Sequence, residues 1–307
     1  MLISIGEILV DIFDDGNKQT VLPGGAPFNV ACNALLYTKD VAFIGAVGKD
    51  DNGRMLLKTA EEKGFKYLNI DVLDNRDTTK AIVTLNNGER SFRFERSSGA
   101  DYCLDISSID FNKIKDNDIV HIGSLMLSEK EGIDFYHKLV KKLRASKGVK
   151  ISFDINYRDD IFSSPNEAKK ILIDALKEAD ILKFSKEEIE ILTNKEDILL
   201  GLKELLNEKQ IAVVTLGKDG SFYYHNGHVV KASSFPVKPI DTTGAGDAFY
   251  SYFLYALNEG LDLSDDKEIK NALIHANVVG GMATLKKGAI GVAPTKEEIE
   301  AFLSLQK

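Results

Sequence analysis

The chain predicts an α/β fold of three layers, with helices covering both faces of a mainly parallel central sheet and a small β-sheet lid beside it. Three observations carry this. Short apolar runs alternate with amphipathic stretches through most of the sequence. The strand-like runs are apolar throughout, as expected where both faces of a sheet are buried. Two segments break the alternation and read as hairpins. At 307 residues, without internal repeat, low-complexity tract or Pro- or Ser-rich linker, residues 1–307 read as one α/β domain with an ample core.

Taken in order, the strand candidates are Leu2–Ile5, Val41–Val47, Ile119–Ile122, Ile151–Phe153, Ile181–Phe184 and Ala212–Leu216. Between them, Arg54–Lys63, Gly132–Arg144, Ala168–Lys177 and Lys186–Leu192 have helical amphipathicity. Leu9–Leu22 reads as strand, turn (Asp14-Asp15-Gly16-Asn17) and strand, and Thr78–Arg96 as a hairpin turning at Asn87-Gly88, a favoured type I′ pair. Segments 9–22 and 78–103 therefore form the lid, over the carboxyl edge of the sheet where such folds bind ligands. Strand periodicity puts Phe92, Phe94 and Arg96 on one face of that hairpin, so Arg96 is expected to face an enclosed space.

Composition narrows the function. A formal charge of −8 argues against a nucleic-acid binder, which would carry a basic stripe. Two cysteines, Cys32 and Cys103, are too few for a disulfide framework or a Cys-rich zinc site and read as plain buried thiols. The N-terminal run lacks a basic leader, and no stretch reaches the ~20 apolar residues of a membrane span. A cytoplasmic enzyme is the expectation.

Asp241-Thr242-Thr243-Gly244-Ala245-Gly246-Asp247 opens an almost wholly apolar run. Small residues let a backbone approach a ligand, and a helix starting there aims its unpaired N–H groups, with about half a positive charge, at a phosphate. A carboxylate on that first turn repels an anion unless it is needed, so Asp247 reads as a general base beside a phosphate cradle. The common alternative is a helix cap. The third small residue of a dinucleotide fingerprint is missing, because Phe249 stands there. Neither Gly48-Lys49 nor Gly217-Lys218 is followed by Ser or Thr, so there is no Walker A loop, and the protein-kinase motifs are absent.

A second glycine-rich turn, Gly24-Gly25-Ala26-Pro27-Phe28-Asn29-Val30-Ala31, sets Asn29 on a helix where it can donate and accept at once. That suits a polyol, and Asp11 at a strand end can bind vicinal hydroxyls. His225 and His228 flank a turn, Asn226-Gly227, that looks like a hairpin tip; without a third ligand they do not make a metal site.

Gly24–Ala31 with Gly45–Gly53 resembles the N-terminal signature of the ribokinase-like (PfkB) carbohydrate kinases, and Asp241–Asp247 with its helix resembles the C-terminal one. The wording Gly-Gly-Ala-Pro-Phe-Asn-Val-Ala is similar to the fructokinases, and Phe153–Arg158 and Phe94–Asp101 lean the same way. The resemblance implies a ribokinase-like fold and transfer of phosphate from ATP to the primary hydroxyl of a sugar, most simply fructose. It implies Asp247 as base, Gly244, Ala245 and Gly246 as anion hole, and Arg158 near the acceptor and the transferring phosphate. It gives Asp11, Gly25 and Asn29 to sugar hydroxyls, with Arg96 reaching down from the lid. Thr215, Gly217 and Gly220 would flank the nucleotide phosphates, and Asn277, on the small-residue helix Ala272–Thr284, would wall the adenine.

The family's Asn-x-x-Glu motif, which organises Mg²⁺ through water, appears here as Ser185-Lys186-Glu187-Glu188. Glu188 matches; Ser185 replaces the asparagine, as in fructokinase-like members. Asp241, Thr243 and Gly288 fall where the family builds a monovalent cation site, implying K⁺. A homodimer through the lid is implied as well. The rival readings are a related kinase of 2-keto-3-deoxygluconate, ribose or a nucleoside, and a sugar sensor without catalysis.

Overall fold

A computed structural model describes the backbone of residues 1–14, 19–86, 89–146 and 148–306, and the side chains of all of these except 14, 83–86 and 89–92. The turn residues Asp15, Gly16, Asn17, Asn87 and Gly88 lie outside the described residues.

The first half of the chain runs β1 (Leu2–Ile5), β2 (Leu9–Asp14), β3 (Gln19–Gly24), α1 (Ala26–Ala34), β4 (Val41–Gly48), α2 (Asp51–Lys63), β5 (Tyr67–Leu73), β6 (Lys80–Asn86), β7 (Glu89–Glu95), β8 (Ile119–Ile122) and α3 (Lys130–Arg144). The second half runs β9 (Lys150–Asp154), α4 (Pro165–Leu176), β10 (Ile181–Ser185), α5 (Lys186–Thr193), α6 (Ile198–Leu205), β11 (Ile211–Thr215), β12 (Ser221–His225), β13 (His228–Ala232), α7 (Ala245–Asn258), α8 (Asp266–Ala283) and α9 (Lys296–Ser304).

Among the described residues these strands make a nine-stranded sheet in the order β13-β12-β11-β10-β9-β8-β1-β4-β5 and a separate four-stranded sheet, β3-β2-β6-β7. From β5 across to β11 every neighbouring pair is parallel, and β12 and β13 close that edge as an antiparallel hairpin. The hairpin turns between His225 and His228, which pair across it.

Period-two alternation sorts the strand side chains into two cores. Ile3, Ile5, Val120, Ile122, Ile151, Phe153, Leu182, Phe184, Ala212 and Val214 join Phe135 of α3, Leu172 of α4, Ile189 of α5 and Leu202 of α6. On the opposite face Leu2, Phe43, Ile119, Ile181, Ile211 and Val213 pack with Phe28 of α1, Leu56 of α2, Phe249 of α7 and Leu273 of α8. The three layers follow directly. The second face is not wholly apolar: Ser4, His121, Ser152, Asp154 and Lys183 interrupt it and are all buried. Those five define a polar strip beneath α1 and α7.

In the small sheet β2 pairs antiparallel with β3 and parallel with β6, and β6 pairs antiparallel with β7. The register sets Asp11 beside Ala81 and Ala81 beside Phe94. One row of side chains therefore runs across three strands.

Candidate active site

Helix α7 supplies the centre of the site. Gly244 is its N-cap, at φ 72 and ψ 5, a left-handed conformation natural to glycine. A Cβ there would also sit 2.4 Å from the Cβ of Ala289. The Ala245 amide reaches the Thr242 carbonyl at 3.3 Å, and Ala248 to Gly244 at 2.8 Å closes the first turn. The amides of Gly246 and Asp247 thus precede the i→i−4 ladder, which makes this end a site for an anion. Asp241 builds the approach: its carboxylate accepts from the amides of Thr243 (2.9 Å) and Gly288 (3.0 Å), tying two loops together.

Asp247 sits on that first turn, and its Oδ2 accepts from Asn29 Nδ2 at 2.8 Å across 218 residues of sequence. Asn29 is held on α1, whose entry needs Gly25 at φ 107, with a Cβ there meeting the Glu7 carbonyl oxygen at 2.4 Å. Burial raises Asp247 to about 6, with Asp154 adding to the shift and the Asn29 bond, Lys183 and Arg158 opposing it. What surface Asp247 retains opens onto a cavity rather than bulk water.

That cavity lies between the two sheets and is lined by Glu7, Asp11, Gly25, Asn29, Ala81, Phe94, Leu125, Asn156, Arg158, Thr243, Gly244 and Asp247, among others. Asp11, Gly25, Asn29, Arg158, Gly244 and Asp247, all expected from sequence, are thereby brought together. Asp11 is raised to about 7, by burial first and then by Asp247 and Asp241, with Arg158 lowering it. Arg158 bonds the Tyr157 carbonyl at 2.8 Å. The turn that presents it contains Asn156 at φ 39, a conformation sparsely used outside glycine.

Arg96 is not among the residues that line this cavity; it lies beside Phe94 in the wall of a neighbouring one. Its side chain is 6% exposed and paired with Asp101, Nε to Oδ2 at 2.9 Å. It also donates to the Leu125 carbonyl at 3.0 Å and to Ser128 Oγ, and its guanidinium lies 4.9 Å from the Tyr102 ring centre. The cause is Asp101, buried beneath the hairpin, where a carboxylate needs a partner. Phe94, two residues earlier on the same face, takes the place over the cavity.

Behind α7, a chain of buried groups connects to the sheet. Lys183 bonds both oxygens of Asp154 at 2.9 Å. A Cβ on Gly246 would lie 3.4 Å from the Lys183 Nζ. Burial opposes the ammonium, but Asp154 and Glu188 outweigh it and Lys183 is raised. Further along, Tyr250 OH lies 2.6 Å from Ser152 Oγ, which lies 3.1 Å from His121 Nδ1. Burial pushes His121 down to about 4, so the ring is neutral.

The residues assigned to the nucleotide and to Mg²⁺ are not among those lining the sugar-side cavity, whereas Thr243, assigned to the monovalent cation, is. Thr215 ends β11, its hydroxyl bonding the Phe184 carbonyl at 3.3 Å, and Gly217 (φ 57) follows in open space. Gly220 packs against the Ala232 carbonyl and Ser233, and Asn277 Nδ2 bonds the carbonyls of both at 3.2 and 3.3 Å. Ser185 and Glu188 form a capping box at the start of α5. Glu188 is buried: Oε2 accepts from the Ser185 amide at 2.6 Å and Oε1 from Tyr157 at 3.0 Å. Burial raises it, against the pull of Lys183. His225 bonds the Glu208 carbonyl and His228 pairs with Asp266, and no group of three metal-ligating residues occurs among the described residues. Cys32 is buried, whereas Cys103 is only partly so.

Sequence reading missed Glu7, Asn156, Leu125 and Lys183. Lys183 had a signal, since it is a lone charge inside the apolar run Ile181–Phe184.

A cavity walled by a buried carboxylate beside the N-terminus of a helix is a setting suited to phosphoryl transfer to a hydroxyl. The chain belongs to the pfkB family of carbohydrate kinases, whose profile matches residues 2–296. It is 34% identical to the probable fructokinase-5 of Arabidopsis thaliana over 99% of this chain and 97% of that one. Its fold is similar to the fructokinase of Vibrio cholerae O395 crystallised with fructose, ADP and calcium, at a TM-score of 0.88, 32% identity and 98% coverage of each chain. The fructokinase of Xylella fastidiosa with bound ATP matches with a TM-score of 0.89 and 26% identity, over 99% of this chain and 98% of that one. The protein is a sugar kinase. No helix among the described residues is long and apolar enough to cross a membrane.

Proposed function

We propose that this enzyme transfers the γ-phosphoryl group of ATP to the 6-hydroxyl of fructose, giving fructose 6-phosphate and ADP. The observation that carries it is the Asn29–Asp247 bond at the cavity wall, which aims one carboxylate at the site shared by Asp11 and the α7 amides. Full-length similarity to fructokinases, one of them crystallised with fructose and ADP, supports the choice of sugar.

The hydroxyl proton passes to Asp247 as the new O–P bond forms, and ADP leaves with the electrons of the broken bond. A base raised to about 6 is well matched to this at neutral pH. The amides of Gly244, Ala245 and Gly246 and the guanidinium of Arg158 hold the charge of the migrating group. Lys183, under Gly246, reinforces that field. Asp11, Gly25 and Asn29 orient the sugar, so alignment contributes as much as proton transfer. Thr215, Gly217, Gly220 and Asn277 hold the nucleotide, and the small sheet closes over the sugar to exclude water.

No cluster of three acids, cysteines or histidines among the described residues would cage Mg²⁺, so the ion fits here as a hydrated one carried by the nucleotide. The Glu188 oxygens, each with one main-chain donor, retain lone pairs for its water, and Ser185 fixes Glu188 in place. When bound, the ion neutralises charge on the β and γ oxygens. A K⁺ beside Asp241, Thr243 and Gly288 would steady the loops that carry the α7 end. The small sheet also supplies a surface for a homodimer.

The test is ATP consumption over fructose, ribose, a nucleoside and 2-keto-3-deoxygluconate. Fructose turned over at least tenfold faster supports the reading. Preference for another acceptor reassigns the substrate, and no turnover with any sugar sinks it.

A further inference from the structure

Glu7 follows β1, the strand that lies between β8 and β4 in the large sheet, at the carboxyl edge where ligands sit. It is 1% exposed, lines the cavity, and neither carboxyl oxygen has a hydrogen-bond partner from any other residue. The slot around it is built. A Cβ on Gly123 would lie 2.3 Å from Glu7 Oε2 and 2.4 Å from Pro27 Cγ, so only glycine leaves room for this side chain. An unpaired buried carboxyl is costly, and proteins keep such groups where a ligand completes them. Its nearest charged neighbours do not complete it: Arg96 is committed to Asp101.

Resting on the sugar-kinase reading above, we propose that Glu7 is a further sugar-binding residue, hydrogen-bonded to a hydroxyl of a neutral sugar, and that it selects against sugars bearing a carboxylate. The cavity wall carries three acidic side chains, Glu7, Asp11 and Asp247, against one guanidinium, Arg158. Hydroxyl groups satisfy such a wall, since each can donate to an acid oxygen and accept in turn. A sugar acid would add a buried negative charge, and the one guanidinium in the wall already acts on Asp11 and Asp247. Burial raises Glu7 to about 8, with Asp101 and Asp247 adding and its own amide and Arg96 opposing. The neutral acid so favoured can donate as well as accept.

The experiment compares the unaltered enzyme with Glu7→Gln and Glu7→Leu on fructose, single-deoxy fructoses and 2-keto-3-deoxygluconate, with thermal melts alongside. Loss of one hydrogen bond to a buried carboxyl should raise the fructose KM about 10- to 100-fold in Glu7→Leu, with the ATP KM within about twofold of the parent on the same basis. Glu7→Gln, which keeps a donor and an acceptor, should lose less. One deoxyfructose should lose as much on the unaltered enzyme and lose nothing further on Glu7→Leu. An unchanged fructose KM, equal losses for every deoxyfructose, or unfolding of both variants would overturn the role of Glu7. So would faster turnover of the sugar acid than of neutral sugars by the unaltered enzyme. If that enzyme turns over a neutral sugar other than fructose, only the fructose assignment falls, and the same comparison is made on that sugar's deoxy series.

Discussion

At the scale of single residues, the proposed chemistry rests on acids that burial pushes toward their neutral form. Asp247→Asn should keep both KM values within a few-fold and lower kcat about 10²–10⁴-fold, read by steady-state kinetics on purified protein. Near-parental turnover would remove Asp247 as the base. In the unaltered enzyme kcat/KM should fall as pH drops through about 6, where Asp247 protonates. Stability should move the other way. Glu7, Asp11 and Asp247 have folded values of about 8, 7 and 6, all above their unfolded ones of 4.5, 3.8 and 3.8. The folded state therefore holds more protons between those limits. The contribution is fully present below about pH 4 and is lost as pH rises to about 8. Urea melts of the ligand-free protein should show midpoints falling across that window, and Glu7→Gln should flatten its upper part. A midpoint that rises from pH 5 to 8 would contradict the burial argument. Arg96, Asp101 and Asp247 face Glu7 and are the charges to control for.

Elements decide which of these acids meet, and here the sequence was legible unevenly. The ends of β1 and β8 match the apolar runs Leu2–Ile5 and Ile119–Ile122, because both strands are buried on both faces. β5 escaped notice: Tyr67–Leu73 is an edge strand, half-exposed, with Asn69 and Asp71 breaking any apolar run. Periodicity rightly turned Phe94 and Arg96 inward. It could not tell which interior each would meet, since Asp101 and Leu125 arrive from other segments. Glu7 was silent for the same reason, as a glutamate after a strand looks ordinary until Gly123 and Pro27 close around it. Two predictions belong at this level. Gly244→Ala forces a Cβ into a left-handed cap against Ala289. It should cost about 1–3 kcal/mol in a urea melt and lower kcat by more than tenfold; parental kcat would separate the cap from the phosphate cradle. Arg96→Ala strands Asp101 and should destabilise by about 3–5 kcal/mol, with sugar KM affected only through that loss. A selective rise in sugar KM at parental stability would return Arg96 to the sugar.

For the whole molecule, two sheets of different standing share one cavity. The nine-stranded sheet is packed on both faces, while the four-stranded one carries exposed Val21 and Thr20 along its outer strand. Fructose should slow amide hydrogen exchange in β2 and β6 and leave the body of α7 unchanged. Equal protection of both would mean that the sheets move as one. Light scattering at micromolar concentration should give a dimer mass; a monomer there would leave the outer face of the small sheet to solvent.

The chain from Tyr250 through Ser152 to His121 has a mechanical consequence. Tyr250 stands one helical turn beyond Asp247, so this relay rivets the helix to two central strands a few ångströms from the reacting carboxylate. On the reading of Asp247 as the base, that acid is held like the fixed jaw of a vice, and closure over the sugar would be left to the small sheet. Mutations that loosen the rivet should blunt catalysis without touching substrate.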